Sequence, residues 1–273
     1  MKKAAKLIAL LALTAVVVYP LLWMLATSFK PENEIVGNIS LWPNEPTGKH
    51  YPAGWSALDV SFTTFFRNSA VIAGITVVAN CASCLLAAYA FARLRFRGRG
   101  IFFAAMIGTL LLPGHVLIVP QYILFNLFGW IDTTLPLVVP KMLATEAFFI
   151  FLMVQFMRGI PRELDDAARI DGAGPYQLFW RIILPLSRPA LVTSAIFSFI
   201  WTWNDFFTQL IYLNDLENIT VPVALRNFLD STGQTSLGSM MAMSVLSLLP
   251  VFAFFVAFQR MLVQGINTTG LKG

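Results

Sequence analysis

The segment Glu163-Leu-Asp-Asp-Ala-Ala-Arg-Ile-Asp-Gly172, continued by Ala173-Gly-Pro-Tyr-Gln-Leu-Phe-Trp-Arg-Ile-Ile-Leu-Pro185, lies between two very apolar stretches. Charge at this density cannot stay in hydrocarbon, so the chain must surface here. Pro161 suits the first turn of a helix, where a missing N–H costs nothing. Leu164, Ala167, Ala168 and Asp171 then recur at helical spacing, and the two alanines make that face shallow. Gly172 can take the left-handed conformation that ends a helix. A second short helix starts near Pro175, with Tyr176, Phe179, Trp180 and Ile183 at i, i+3, i+4 and i+7. Gln177 and Arg181 fall on another side, Pro185 stops the pattern, and Pro189 opens the next apolar run. The expected product is a helix-turn-helix over about 158–188, lying across a membrane surface.

Composition sets the class of the rest. Hydrophobic residues make up 57% of the 273 and charged residues 12%, with a mean hydropathy of +0.71. Soluble domains are about a quarter charged. The chain therefore reads as an all-α integral membrane protein and a single transmembrane domain over 1–273. A span takes roughly 20 apolar residues, and six segments qualify: Leu7–Ala26, Ala70–Ala92, Ile101–Phe128, Leu135–Met157, Ala190–Leu213 and Ser239–Val263. Lys2, Lys3 and Lys6 before the first segment resemble a signal peptide. The apolar run exceeds the roughly 7–15 residues of such a signal, so it reads as an uncleaved helix.

Basic residues orient the spans. Lys2, Lys3 and Lys6, then Arg93, Arg95, Arg97 and Arg99, then Arg158, Arg162, Arg169, Arg181 and Arg188, then Arg260 and Lys272 all fall on one side of a six-span arrangement. The positive-inside rule places that side, both termini and the helix-turn-helix in the cytoplasm. Phe29–Asn68 is then the longest external connection, rich in Pro and Trp, and is expected to pack as a small cap.

Within the spans, Ala79, Ser83 and Ala87, and also Cys84, Ala88 and Ala92, repeat every four residues, which lets helix backbones approach closely. Cys81 and Cys84 sit in this apolar context and read as packing residues, not redox or metal ligands. Pro113, Pro120, Pro136, Pro140 and Pro250 interrupt spans and can kink them. Such kinks fit a cavity or moving interface, and they equally fit the ordinary tolerance of membrane helices for proline. Glu146 and Asp205 are intramembrane acids. Asp205 follows Trp203 and Asn204, so stacking and hydrogen-bonding groups of the kind that hold sugars cluster there. A purely structural role for Asp205, and a structural Lys141–Glu146 pair, are the competing readings.

A helix resting on lipid explains the aromatics of the loop. A helix seated in the groove of a soluble partner also explains the charged first helix and the glycine. The run Asp166-Ala-Ala-x3-Gly172-x9-Ile182-x-Leu184-Pro185 resembles the cytoplasmic motif of permease subunits in binding-protein-dependent ABC importers, with Asp where Glu is usual. Ser28-Phe29-Lys30-Pro31-x-x-Glu34, Asn68-Ser69, Pro120-Gln121, Trp203-Asn204-Asp205-Phe206, Thr220-Val-Pro-Val-Ala-Leu225 and Gly270-Leu-Lys-Gly273 resemble the carbohydrate branch, of the maltose-transporter second-permease type.

The resemblance implies an inner-membrane, multi-pass sugar importer subunit of bacterial or archaeal type. It catalyses nothing and carries no cofactor or metal; ATP and Mg belong to two separate ATPase subunits. A second homologous permease and an extracytoplasmic solute-binding protein complete the set, with the lipid bilayer and no nucleic acid. It makes Glu163, Asp165, Asp166, Ala167, Ala168, Asp171, Gly172, Ile182, Leu184 and Pro185 the coupling residues. Trp203, Asn204, Asp205 and Glu146 become candidates for the translocation path. Import of a non-sugar polar solute and ion-coupled secondary transport are the alternatives, although no internal repeat of the secondary-transporter kind is visible.

Overall fold

The computed structural model describes residues 2–35, 37, 40–230 and 236–269. The motif at Gly270–Gly273 lies outside the described residues. Among those described, regular structure is helical throughout. In order the elements are α1 (Lys2–Thr27), α2 (Glu32–Ile35), α3 (His50–Trp55), α4 (Phe62–Arg93), α5 (Arg99–Thr109), a 3-10 turn (Gly114–Leu117), α6 (Ile118–Leu127), α7 (Leu135–Met142) and α8 (Ala147–Gly159). There follow α9 (Glu163–Ile170), α10 (Pro175–Leu178), a π turn (Phe179–Ile183), α11 (Leu184–Leu186), α12 (Arg188–Trp203), α13 (Phe207–Tyr212), α14 (Val221–Asp230) and α15 (Leu237–Thr269).

Among the described residues, Lys3–Thr27, Phe62–Arg93, Leu135–Gly159 and Leu237–Gln259 are each long and apolar enough to cross a bilayer, and two bent helix pairs raise the possible number to six. The chain is a multi-pass membrane protein. It divides into two compact units, Met1–Asn68 with Ile219–Pro250, and Ser69–Asn218 with Val251–Gly273.

The first unit holds α1, the long connection that follows it, α14 and the start of α15. Its core gathers Phe62, Phe65 and Phe228, with Phe62 and Phe65 edge to face at 5.4 Å. Glu32 accepts hydrogen bonds from Ser236 Oγ and the Gly238 N–H, both at 3.1 Å. That places a carboxylate at the positive end of α15. This connection is thus packed and tied to the start of α15.

The second unit is organised by the small-residue stripe of α4. Cys84, Ala88 and Ala92 are buried against Met153 and Met157 of α8 and against Phe179 and Ile183. Small side chains on one helix admit the long methionines of the other, as the four-residue spacing requires.

Three spans of this unit are broken. The stretch 101–128, expected as one helix, is two, meeting at 95° around Gly114. Pro113 has extended backbone, with φ −62° and ψ 121°, so the helical path cannot pass through it. The fourth span is interrupted between α7 and α8, where Ala144 takes a φ of +55°. The fifth breaks at Asn204–Phe206, between α12 and α13, without any proline.

Candidate functional site

In the loop 158–188 the first helix ends as the sequence implies, but its inward face and the regularity of the second helix both differ. Glu163, Asp165 and Asp166 occupy the first turn of α9, where the helix dipole favours acids. Gly172 has a φ of +81°. Its N–H reaches the carbonyl of Arg169 at 3.0 Å, and the Ala173 N–H reaches that of Ala168 at 2.9 Å. This is the Schellman pairing that satisfies the last carbonyls of a helix. Ala168 and Ala173 both pack on the core, as the motif's apolar contact requires.

The first difference concerns which face looks out. Ala168 was expected beside Leu164, Ala167 and Asp171, but it is buried together with Asp165. The cause is Arg93, whose guanidinium lies 3.1 Å from Asp165 and draws that side of α9 inward. Glu163, Leu164, Asp166, Ala167, Ile170 and Asp171 are exposed instead. Ile170 is 88% exposed, a large apolar side chain in an otherwise charged surface. Asp166 pairs with Arg169 at 3.3 Å, both well exposed. Such a surface pair adds little stability, so Asp166 is held where a partner can reach it.

The second half departs from a regular helix. Pro185 cannot donate to residue 181, and its ring would press on that carbonyl. The chain answers by widening to π spacing over Phe179–Ile183. This spreads the four residues expected on one aromatic face. Phe179 and Ile183 are buried, whereas Tyr176 and Trp180 are 83% and 62% exposed. Ile182 and Leu184 pack partly against the core. Tyr89 of α4 donates to the Pro175 carbonyl at 2.8 Å and packs against Phe179 at 5.0 Å. The exposed residues of the loop thus combine acids with Leu164, Ile170, Tyr176 and Trp180.

The four interior candidates are not gathered into one pocket. Trp203 is buried and stacked on Phe199 at 5.6 Å. Asn204 is exposed and donates its amide to the Ile200 carbonyl at 2.8 Å, capping α12. Asp205 is partly buried and accepts from the Thr208 N–H at 3.1 Å, capping α13. Glu146 forms an ion pair with Lys141 across the break of the fourth span. Nearby, Asn80 donates to Ser198 at 3.3 Å and Cys84 to Asn80 at 3.1 Å.

Sequence reasoning passed over Arg93 and Tyr89. Arg93 was counted with the loop arginines, yet it is 3% exposed and ends α4. Its separation by i, i+4 from Tyr89 was the available signal, since that spacing puts both on one face.

Residues 79–268 match the family described as binding-protein-dependent transport system inner membrane component. The chain belongs to this family. The match takes in the loop and all three broken spans. The trehalose/maltose transport system permease protein MalG of Thermococcus litoralis is 30% identical, over all of this chain and 98% of its own length. The trehalose transport system permease protein SugB of Mycobacterium tuberculosis is 34% identical, over 93% of this chain and 92% of its own. A crystal structure of a bacterial ABC transporter involved in alginate import superposes with a TM-score of 0.82 at 22% identity. That likeness covers 94% of this chain and 95% of the other and establishes the fold.

Proposed function

We propose that this chain is the permease of a sugar or oligosaccharide importer, a single permease domain driven by ATP hydrolysed on a separate subunit. The observation that carries it is the loop at Asp166–Pro185. Its inner face is anchored by Asp165, Ala168, Phe179 and Ile183, and its outer face offers Asp166, Ile170, Tyr176 and Trp180. The permease names of sugar-transport relatives support the substrate class.

In this reading both termini and the loop are cytoplasmic, and the loop seats in a cleft of one of two ABC ATPases. ATP and Mg belong to those subunits. A second homologous permease completes the membrane pore, and an extracytoplasmic binding protein delivers the solute. Coupling needs the ATPase site and the solute path to bias one two-state element, and the loop is the part of this chain placed to do so. Asn204 and Asp205, at the break of the fifth span, are this chain's own candidates for solute contact.

The test is uptake of labelled disaccharides into vesicles carrying the complete importer, with Ile170→Asp as the loop variant. Uptake that requires internal ATP, and loss of ATPase co-purification with Ile170→Asp, are the expected results. Uptake that persists without ATP and follows an imposed ion gradient overturns the proposal in favour of a secondary transporter.

A further inference from the structure

We infer that the buried Arg93–Asp165 pair is the joint that makes α9 move together with α4 and α8, so that both are positioning residues for coupling. The inference rests on the function proposed above and goes beyond it, because neither side chain is available to a partner: Arg93 is 3% and Asp165 2% exposed.

The case begins with how little else holds α9. It has eight residues, and helices shorter than about 12–15 residues are marginal on their own in water. Of its side chains only Asp165 and Ala168 are buried. A methyl group gives a non-directional contact, so orientation must come from the carboxylate. Arg93 meets it through one nitrogen and one carboxylate oxygen, leaving Arg93 Nε and Asp165 Oδ1 without a partner among the described residues. One terminal nitrogen donates to Asp165 at 3.1 Å, and the other donates to the carbonyls of Met157 and Ile160 at 2.7 and 2.8 Å. A guanidinium is planar, so fixing one arm fixes the other.

Three helices meet on that one group: α4 carries it, α8 and its C-cap give the two carbonyls, and α9 gives the acid. Arg162 ties the connection again from the opposite direction, donating to the Ala92 carbonyl at 3.1 Å. One turn earlier on α4, Tyr89 holds the second half of the loop through Pro175. The cytoplasmic end of α4 therefore carries both halves. A slide of α9 by about 1 Å would take Asp165 out of hydrogen-bond range of Arg93. It would also leave a charge buried without its partner, which proteins avoid strongly. The cheaper motion is for α4 and α8 to follow. The other end of α8 begins just after its N-cap Glu146, beside the break of the fourth span, so displacement at the loop is delivered to an interruption within the membrane.

The experiment uses the complete importer in vesicles and reads solute transported per ATP hydrolysed. Single variants Arg93→Gln and Asp165→Asn are compared with Arg93→Met/Asp165→Leu, in which an apolar pair of similar volume restores packing. The expected result is at least a tenfold fall in transport per ATP in the double variant as well as the singles, with partial rescue by Arg93→Lys. A ratio within twofold of the parent in the double variant overturns the joint.

Where a variant does not assemble, hydrogen exchange on the purified permease decides. Amides of Leu164–Asp171 exchange at least tenfold faster in Asp165→Asn if the pair holds α9, and unaltered exchange refutes it. Failure of the parent permease to bind any ATPase counts against the proposed function alone, because the exchange measurement needs no partner.

Discussion

Replacing Gly172 by alanine adds one methyl group at a residue whose φ is +81°. No heavy atom lies within 4 Å of the position that methyl would take. The substitution therefore carries no steric term, and its whole cost is the left-handed backbone, about 1–2 kcal/mol for an L-residue. The two hydrogen bonds that end α9 both depend on that conformation. The equilibrium between closed and opened loop should shift by the corresponding factor of about 5–30.

Hydrogen exchange on the purified permease reads this directly, since local opening sets the exchange rate of protected amides. The Gly172 and Ala173 amides should exchange about 5–30 times faster in Gly172→Ala, while those in the middle of α4 stay as they are. Gly172→Asn should fall between parent and alanine, because asparagine tolerates the left-handed region better. Equal rates in parent and Gly172→Ala, or an asparagine variant worse than alanine, would show that the turn is not held by its backbone conformation.

Two further outcomes follow from the same geometry. Gly54→Ala places a Cβ 3.1 Å from the Ser239 carbonyl oxygen and beside the buried Met243; overpacking of this kind costs about 1–3 kcal/mol. Its melting temperature should drop, and an unchanged one would contradict the seating of α3 on α15. Asn204→Ala removes the cap on the Ile200 carbonyl, worth about 1 kcal/mol, together with any solute contact. Under the proposed function the half-saturation concentration for uptake should rise, with Asn204→Asp retaining more affinity than alanine. Unchanged affinity in Asn204→Ala removes this residue from the path.

The positions of the spans and of the loop were legible because both depend on local composition. Twenty apolar residues need a bilayer whatever their neighbours, and Pro161, Gly172 and Pro185 punctuate the loop through backbone sterics alone. Where the spans break was legible only at Pro113. Pro20 and Pro250 lie inside continuous helices, whereas the pair at Pro113 bends by 95° and the fifth span breaks with no proline at all. Proline sets which hydrogen bond is missing; packing decides whether the chain bends there. The inward face of α9 was hidden for a related reason. Asp165 is one acid among several in a charged segment, and its partner stands 72 residues away. Only the tertiary fold distinguishes it from Asp166.

The breaks themselves carry the last step. In hydrocarbon every carbonyl at a break must keep a donor, and here side chains add to the backbone N–H groups of Leu143, Asn204 and Asp205 that already reach Pro140, Ile200 and Thr202. Ser83 donates to the Lys141 carbonyl at 2.6 Å and Thr145 to that of Pro140 at 2.8 Å. Asn204 donates to Ile200 at 2.8 Å and Gln209 to Thr202 at 2.9 Å. Side chains thus reinforce the interruptions, as Ser and Thr do wherever membrane helices accommodate a break. The capping also fixes what chemistry remains at the fifth span. With one of its two amide hydrogens on Ile200, Asn204 keeps one N–H donor and its acceptor oxygen, and Asp205 adds acceptor oxygens. Sugar hydroxyls both donate and accept, so they match this mixed set. Under the proposed function, hydroxyl recognition at this break shares its groups with the backbone beside it.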